Sequence, residues 1–166
     1  ELPVLHGQFD LQSVMMNITQ VTSHKELEPS IAAISKDSQG YLWIGTQAGL
    51  VRLDGYGIKR YTSKIKSSSG LPSNFVSSLA YNKDTEELWI GTKKGLSLLD
   101  LKKETFQNFY HDSEDSTSLS NNIIRDVFID SQKRIWIATQ SGLNLFLKDK
   151  NQFKVFKNEK YNQGSL

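Results

Sequence analysis

The sequence predicts an all-β protein, a partial β-propeller of about three four-stranded antiparallel blades. One segment, LWIGTQAGL at residues 42–50, returns as LWIGTKKGL at 88–96 and as IWIATQSGL at 135–143. The three tryptophans in these copies are 46 and 47 residues apart. A repeat with a fixed period between about 20 and 50 residues is typical of solenoids and propellers.

Each copy of this segment predicts a β-hairpin. The residues LWIGT alternate in size and lack a helical stripe, which is typical of a strand. The third residue after this strand is glycine in every copy, and it fits a three-residue loop whose last residue has a left-handed backbone. The second strand of the hairpin then resumes as LVRL, LSLL or LNLF.

Other positions in the repeat predict structural roles. Gly45 and Gly91 suggest the close approach of a neighbouring backbone or ring, most simply a packed tryptophan, and Ala138 takes this place in the third copy. The threonines recur with the blades, so we expect their hydroxyls to bond nearby backbone. The residues of the structural motif are Trp43, Gly45, Thr46, Gly49, Trp89, Gly91, Thr92, Gly95, Trp136, Thr139 and Gly142.

The period extends outward to a four-strand unit. A short apolar strand precedes each hairpin, at residues 31–34, 76–79 and 124–127, and a polar turn joins the two. The turn before Trp89 is one residue longer than its counterparts. An apolar pair follows each hairpin, as Ile58/Tyr61, Phe106/Phe109 and Phe153/Phe156. Four antiparallel strands per repeat is the layout of a propeller blade.

The predicted organisation is an N-terminal arm at 1–13 followed by a partial propeller at 14–166. The propeller comprises a lone strand at 14–21, blade one at 30–62, blade two at 74–110, blade three at 122–157 and the start of a next blade at 158–166. Closed propellers typically have about four to eight blades, so three cannot close a ring. We therefore expect the open blade faces to cause self-association with another copy.

Composition excludes several classes of function. The net charge is +2, from 20 basic and 18 acidic residues without a basic stripe, so nothing supports nucleic-acid binding. There is no run of about 18 apolar residues, so we expect no membrane contact by this segment itself. Cysteine is absent, which excludes disulfides and thiolate metal sites. No cofactor is expected.

The stretch KDSQGYLWIGTQAGLVRLDG at 36–55 resembles the two-component regulator propeller repeat, whose pattern is D-x-x-G-x-L-W-I-G-T-x-x-G-L-x-R-L-D-G. The segments between blades, SGLPSNFVSSLAY at 69–81 and TSLSNNIIRDVFID at 117–130, resemble the spacer of that family. Ala138, the longer turn before Trp89 and the lack of Asp-Gly after blades two and three depart from the pattern. These departures mark divergent copies of the repeat.

This resemblance implies a fragment of the periplasmic sensory propeller of a bacterial inner-membrane signalling protein. The implied output is a histidine kinase fused to a response regulator, or a diguanylate cyclase, and the implied ligand is an oligosaccharide. The segment itself is then not an enzyme. Two alternatives stay open. A scaffold propeller would show a large apolar patch on its loop face, and a propeller lyase, like the streptogramin-inactivating enzymes, would need a catalytic base and a metal-holding carboxylate there.

The residues themselves indicate no catalytic or metal site. His6, His24 and His111 lack metal-ligand spacing, and the carboxylates at 112–115 lack the glycine and final glutamate of a calcium loop.

We expect any ligand on the face where hairpin loops and spacers emerge together, because rigid scaffolds present binding residues on loops. The candidates are Gln47, Lys93, Lys94, Gln140, Ser141, Asn74 and Asn121. They could equally be exposed hairpin tips, and the two lysines could attract a uronate or sulfate or simply improve solubility.

Overall fold

The computed structural model describes residues 30–54, 57–63 and 70–157, which form three separate four-stranded antiparallel sheets. The predicted fold class, a partial and unclosed propeller, is confirmed. The predicted arm at 1–13, the strand at 14–21 and the segment at 158–166 lie outside the described residues.

Each sheet is one blade made of four consecutive strands. The strands are β1 Ile31–Lys36, β2 Leu42–Thr46, β3 Gly49–Leu53, β4 Ile58–Tyr61, β5 Val76–Asn82, β6 Glu87–Thr92, β7 Gly95–Asp100, β8 Thr105–Phe109, β9 Ile124–Ile129, β10 Ile135–Thr139, β11 Gly142–Leu147 and β12 Gln152–Phe156. A 3₁₀ turn at Lys148–Lys150 precedes the last strand. Blade one is β1–β4, blade two β5–β8 and blade three β9–β12. Within the described ranges, no helix is long and apolar enough to cross a membrane.

The strand register defines two faces on every blade. We call the face that carries the tryptophan the forward face and its opposite the back face. Paired residues share a face, because side chains alternate along a strand. The forward-face rows are Ser35–Trp43–Arg52–Lys59 in blade one, Ala80–Trp89–Leu98–Gln107 in blade two and Phe128–Trp136–Leu145–Lys154 in blade three.

The hydrophobic core lies between blades. Trp43 and Leu50 on the forward face of blade one pack with the back face of blade two, including Leu88 and Ile90. The forward face of blade two packs in the same way on blade three. The buried residues of this second cluster are Trp89, Leu96, Phe109, Leu119, Ile124, Val127, Ile135, Ile137 and Phe153. Each blade is therefore completed by its neighbour.

The in-strand glycines make room for the next blade, and the expected contact with a tryptophan ring is wrong. A methyl group on Gly45 would lie 2.6 Å from a Val76 methyl, and one on Gly91 would lie 2.8 Å from a methyl of Ile124. Val76 and Ile124 begin the first strands of the following blades. Packing of one first strand on the preceding blade leaves no space for a side chain at these positions.

The hairpin loops are one residue shorter than predicted. Thr46 pairs directly with Gly49, so only two residues stand between the paired positions, and the other blades repeat this register. The glycine retains its positive φ, +132° at Gly49, and a side chain there would also meet the Tyr61 carbonyl. The requirement for glycine is therefore confirmed, while the loop closes earlier because the threonine ties its ends together.

Candidate functional site

Threonine hydroxyls close the hairpin tips, as the repeat predicted. Thr46 Oγ1 donates to the Gly49 carbonyl at 2.9 Å and accepts from the Ala48 amide at 3.0 Å. The same pair of bonds is present at Thr92 and Thr139. These threonines are buried and satisfied, so the tips are rigid platforms for the side chains that they expose.

The tip of blade two carries two lysines with different surroundings. The Lys93 ammonium lies 3.7 Å from the centre of the Phe75 ring, and its amide donates to the Phe75 carbonyl. Such an ammonium on an aromatic face is held by the ring quadrupole. Lys94 is exposed. The neighbouring candidate, Asn74, uses its side-chain oxygen to accept the Ser63 amide, which anchors the incoming spacer.

The tip of blade three meets its own spacer. Asn121 donates from Nδ2 to Ser141 Oγ at 3.0 Å, and the Gln140 amide donates to the Ile123 carbonyl. Both Gln140 and Ser141 are exposed. The structure therefore brings Asn121 and Ser141 together as predicted by the common-face argument.

The tip of blade one follows the same plan. Gln47 is exposed and donates from Nε2 to Ser30 Oγ at 2.7 Å. These contacts of the three tips join each one to the segment that enters its own blade. They create three similar polar corners, one for each described blade.

Two asparagine side chains, one buried and one half-buried, fasten the spacers below these corners. Asn144 is fully buried, accepts the Ser120 amide at 2.8 Å and donates to the Ile137 carbonyl. In blade two, Asn108 donates to the Gly70 carbonyl and accepts from Ser97. These bonds tie the described parts of both spacers to the blades.

The acidic spacer loop holds itself together by local hydrogen bonds. Asp112 accepts from the Glu114 amide, and Asp115 accepts from the Thr117 amide and hydroxyl. The Thr117 bonds lower the pKa of Asp115. The ring of His111 lies 2.6 Å from the Leu119 carbonyl. Within the described part of the chain, no group of three or more histidine or carboxylate side chains could hold a metal ion.

The opposite ends of blades one and three carry a second polar feature, which the sequence did not lead us to predict. Trp43 Nε1 donates to Asp37 Oδ2 at 2.8 Å, and Trp136 Nε1 donates to Asp130 Oδ2 at 2.9 Å. The bond from Trp136, reinforced by Arg134, lowers the pKa of Asp130 to about 2. Each aspartate also caps its own turn, so one carboxylate fixes both the turn and the indole.

Blade two breaks this pattern. Its longer turn begins with Asn82, whose side-chain oxygen accepts the Asp84 amide at 3.1 Å. Trp89 is 1% exposed and its Nε1 has no hydrogen-bond partner. A buried N–H without an acceptor costs about 1–3 kcal/mol. The signal was present in the sequence, because an aspartate lies six residues before Trp43 and Trp136, but an asparagine lies seven before Trp89.

Comparison with known proteins agrees with the repeat and the fold. The model of the family described as two component regulator propeller matches residues 26–48, 70–94 and 118–141, one segment for each blade. No curated protein sequence matches the chain.

Solved structures share the architecture. One is described as "the extracellular domain of the putative hybrid two component system BT3049 from B. thetaiotaomicron", with 23% identity and a TM-score of 0.74 over 79% of this chain. The chain spans 19% of the length of that domain. A second is virginiamycin B lyase from Staphylococcus aureus, with 14% identity and a TM-score of 0.57 over 81% of this chain and 43% of the lyase. At such identities the likeness shows the fold alone. The chain is a partial β-propeller built from three two component regulator propeller repeats.

Proposed function

We propose that this chain is part of the extracytoplasmic sensory propeller of a two-component signalling protein, a hybrid of sensor histidine kinase and response regulator. The observation that carries the proposal is that all three regulator propeller repeats fold as consecutive blades. The likeness to the BT3049 extracellular domain supports a location outside the cytoplasm. The described blades supply a rigid binding surface, while kinase or diguanylate cyclase chemistry would belong to another part of the protein.

The three polar corners are the proposed surface for a ligand such as an oligosaccharide. Gln47, Lys94, Gln140 and Ser141 are exposed on tips that threonine and glycine hold in place. Amides, hydroxyls and ammonium groups match the hydroxyl and carboxylate groups of sugars. Lys93 and Asn74 are exposed as well, and the contacts of Lys93 with Phe75 and of Asn74 with the Ser63 amide would hold them in place at the corners.

Calorimetric titration with neutral and uronate-containing oligosaccharides tests the ligand. We expect saturable binding that Lys94→Ala and Gln140→Ala weaken, while Lys103→Ala, an exposed change at the opposite end of blade two, leaves it intact. Binding that tolerates the tip changes would remove the corners from the proposal. Alkaline phosphatase fused to this segment in the full-length protein tests location, because that enzyme needs disulfides that form only outside the cytoplasm. An expressed but inactive fusion would contradict it.

We propose that this segment binds a ligand and does not itself catalyse a reaction. The proposal is supported by the positions of the polar side chains in the part of the chain that the structure describes. His111, the one histidine in the described ranges, lies in a spacer with its ring against a backbone carbonyl. The lyase alternative would need a base and a metal-holding carboxylate on the loop face. Virginiamycin B lyase shares the fold with this chain, and that likeness assigns no activity here.

A second candidate function, as an interaction propeller that associates with another copy, is favoured by the forward face of blade three. Phe128 is 61% exposed there, beside a half-buried Trp136. Apolar area of this kind gains free energy when it is covered. Light scattering over a concentration range tests it: we expect a dimer or larger species that Phe128→Ser weakens. A monomer at high concentration would contradict self-association.

A further inference from the structure

The gap between blades two and three differs from its counterpart between blades one and two in how it is filled. In the first gap, the Arg52 guanidinium lies 4.8 Å from the ring centre of Tyr41 and 5.8 Å from that of Trp43. Arg52 and Lys59 also pair with Glu104 of blade two, at 3.5 and 2.8 Å. A cation therefore partly plugs the space beside the tryptophan, leaving a cleft of about 310 Å³, and is neutralised by the next blade.

The second gap lacks this plug. Leu98 pairs with Trp89 where Arg52 pairs with Trp43. Gln107 replaces Lys59 in the forward-face row, and its amide donates to Asn151 at 3.0 Å. The ion pairs of the first gap are thus replaced by one leucine and one neutral amide pair. A cleft of about 500 Å³ remains between the blades.

The walls and rim of this cleft have distinct chemistry. Trp89, Leu98 and Phe146 contribute apolar lining, with the Trp89 and Phe146 ring centres 4.9 Å apart. Charged residues of both signs surround it, namely Asp84, Glu87, Lys133, Arg134 and Lys148. Lys133 pairs with Asp84 at 2.9 Å, and both lysines are exposed.

Trp89 lines the cleft, and its buried Nε1 has no hydrogen-bond acceptor among the described residues. In blades one and three, the equivalent indole N–H donates to a carboxylate oxygen of the same blade. Blade two has no acceptor in that place. A ligand that brings a carboxylate would restore the arrangement of the other two blades. Its carbon skeleton would lie against the apolar walls, and Lys148 would attract its charge.

We propose that the cleft between blades two and three binds a small organic carboxylate, one oxygen of which accepts a hydrogen bond from Trp89 Nε1. This site goes beyond the proposed function, because it lies at the turn end of the blades, away from the three polar corners. It requires neither a signalling output nor an oligosaccharide. Failure of one proposal therefore leaves the other standing.

Indole N–H signals in a ¹⁵N–¹H correlation spectrum test the site directly. The chain has three tryptophans, so Trp43 and Trp136 serve as internal controls, and Trp89→Phe assigns the third signal. The probes are propionate and benzoate, with propionamide and benzamide as neutral controls. We expect a saturable shift of the Trp89 signal with a carboxylate and little change with its amide. No saturable shift, or an equal response to the amides, would mean that only water enters and would overturn the proposal.

Two variants sharpen the test. Leu98→Arg introduces the plug of the first gap and should abolish the shift, with Leu98→Met as the control that retains it. Lys148→Ala is an exposed change that should preserve the fold and weaken carboxylate binding about two- to five-fold, the range of an exposed charge pair. Unchanged affinity in Lys148→Ala, or a retained shift in folded Leu98→Arg, would contradict the assigned site.

Discussion

The forward faces of blades two and three have the same plan and opposite surroundings. Trp89 is 1% exposed because blade three covers it, whereas Trp136 is half-buried and its row partner Phe128 is 61% exposed. The covered face has Ala80 where the open face has Phe128. A forward face is therefore buried as part of the core only where the next blade packs on it.

The small-residue position follows the same rule. Gly45 and Gly91 are closely approached by the following blade, and Ala138 occupies the equivalent place on the forward face of blade three. Within the described residues no further blade packs on that face. Within the described blades, close approach by a following first strand thus coincides with glycine at this position.

Truncating the two tryptophans should give the largest difference between the faces. Trp89→Ala removes a ring from the interior of the core and is expected to lower the free energy of unfolding by about 3–5 kcal/mol. Trp136→Ala removes a half-exposed ring and should cost about 1–2 kcal/mol. Urea unfolding followed by circular dichroism measures both. Equal losses would show that the face of blade three is covered as fully as that of blade two.

Exchanging glycine and alanine at Gly91 and Ala138 should give the next largest difference in the free energy of unfolding between blades two and three. Gly91→Ala forces a methyl against Ser78 Oγ and to within 2.8 Å of Ile124, and overpacking of this kind costs about 1–3 kcal/mol. The reciprocal Ala138→Gly should cost only about 0.5–1 kcal/mol, through backbone entropy. The same urea titrations test this pair. A larger loss in Ala138→Gly than in Gly91→Ala would contradict the account of the blade contact.

The repeat made the blades predictable because each strand carries a local signature. The period of the tryptophans, the threonine at the strand end and the glycine after the tip each specify one feature of every blade. Contacts between blades could not be predicted in the same way. The partner of Gly91 is Ile124, which belongs to the next repeat, and no rule of alternation within one repeat identifies it.

The candidate site likewise has one part that could be predicted from the repeat and one part that depends on contacts between blades. The joining of Asn121 to Ser141 followed from topology, because tips and spacers emerge at one end of a blade. The cleft beside Trp89 depends on the loss of an aspartate, a one-residue change in turn length and a leucine at the place of Arg52. Each of these changes is minor in the sequence. Only together, between the sheets of blades two and three, do they leave the Trp89 N–H without an acceptor.

The indole N–H of Trp136 has a carboxylate acceptor and that of Trp89 has none. We therefore expect the turns of blades two and three to differ in how they make stability depend on pH. The Trp136 bond and the bonds from Arg134 hold the pKa of Asp130 at about 2, below its ordinary value of 3.8. A carboxyl group whose pKa is lower in the folded protein stabilises the fold above its unfolded pKa and loses that contribution as the pH falls. We therefore expect wild type to melt at a higher temperature than Asp130→Asn at pH 6. The difference in melting temperature between the two proteins should become smaller between pH 4 and pH 2.

Melting temperatures of the two proteins from pH 6 to pH 2 measure this directly, since every other carboxylate titrates in both. Asn82→Asp in blade two is the matched comparison. Its longer turn already uses the side-chain oxygen at position 82 for the Asp84 amide, so a new carboxylate there should change the pH dependence less. A difference between wild type and Asp130→Asn that persists undiminished at pH 2 would show that the carboxylate acts through geometry alone, without its charge.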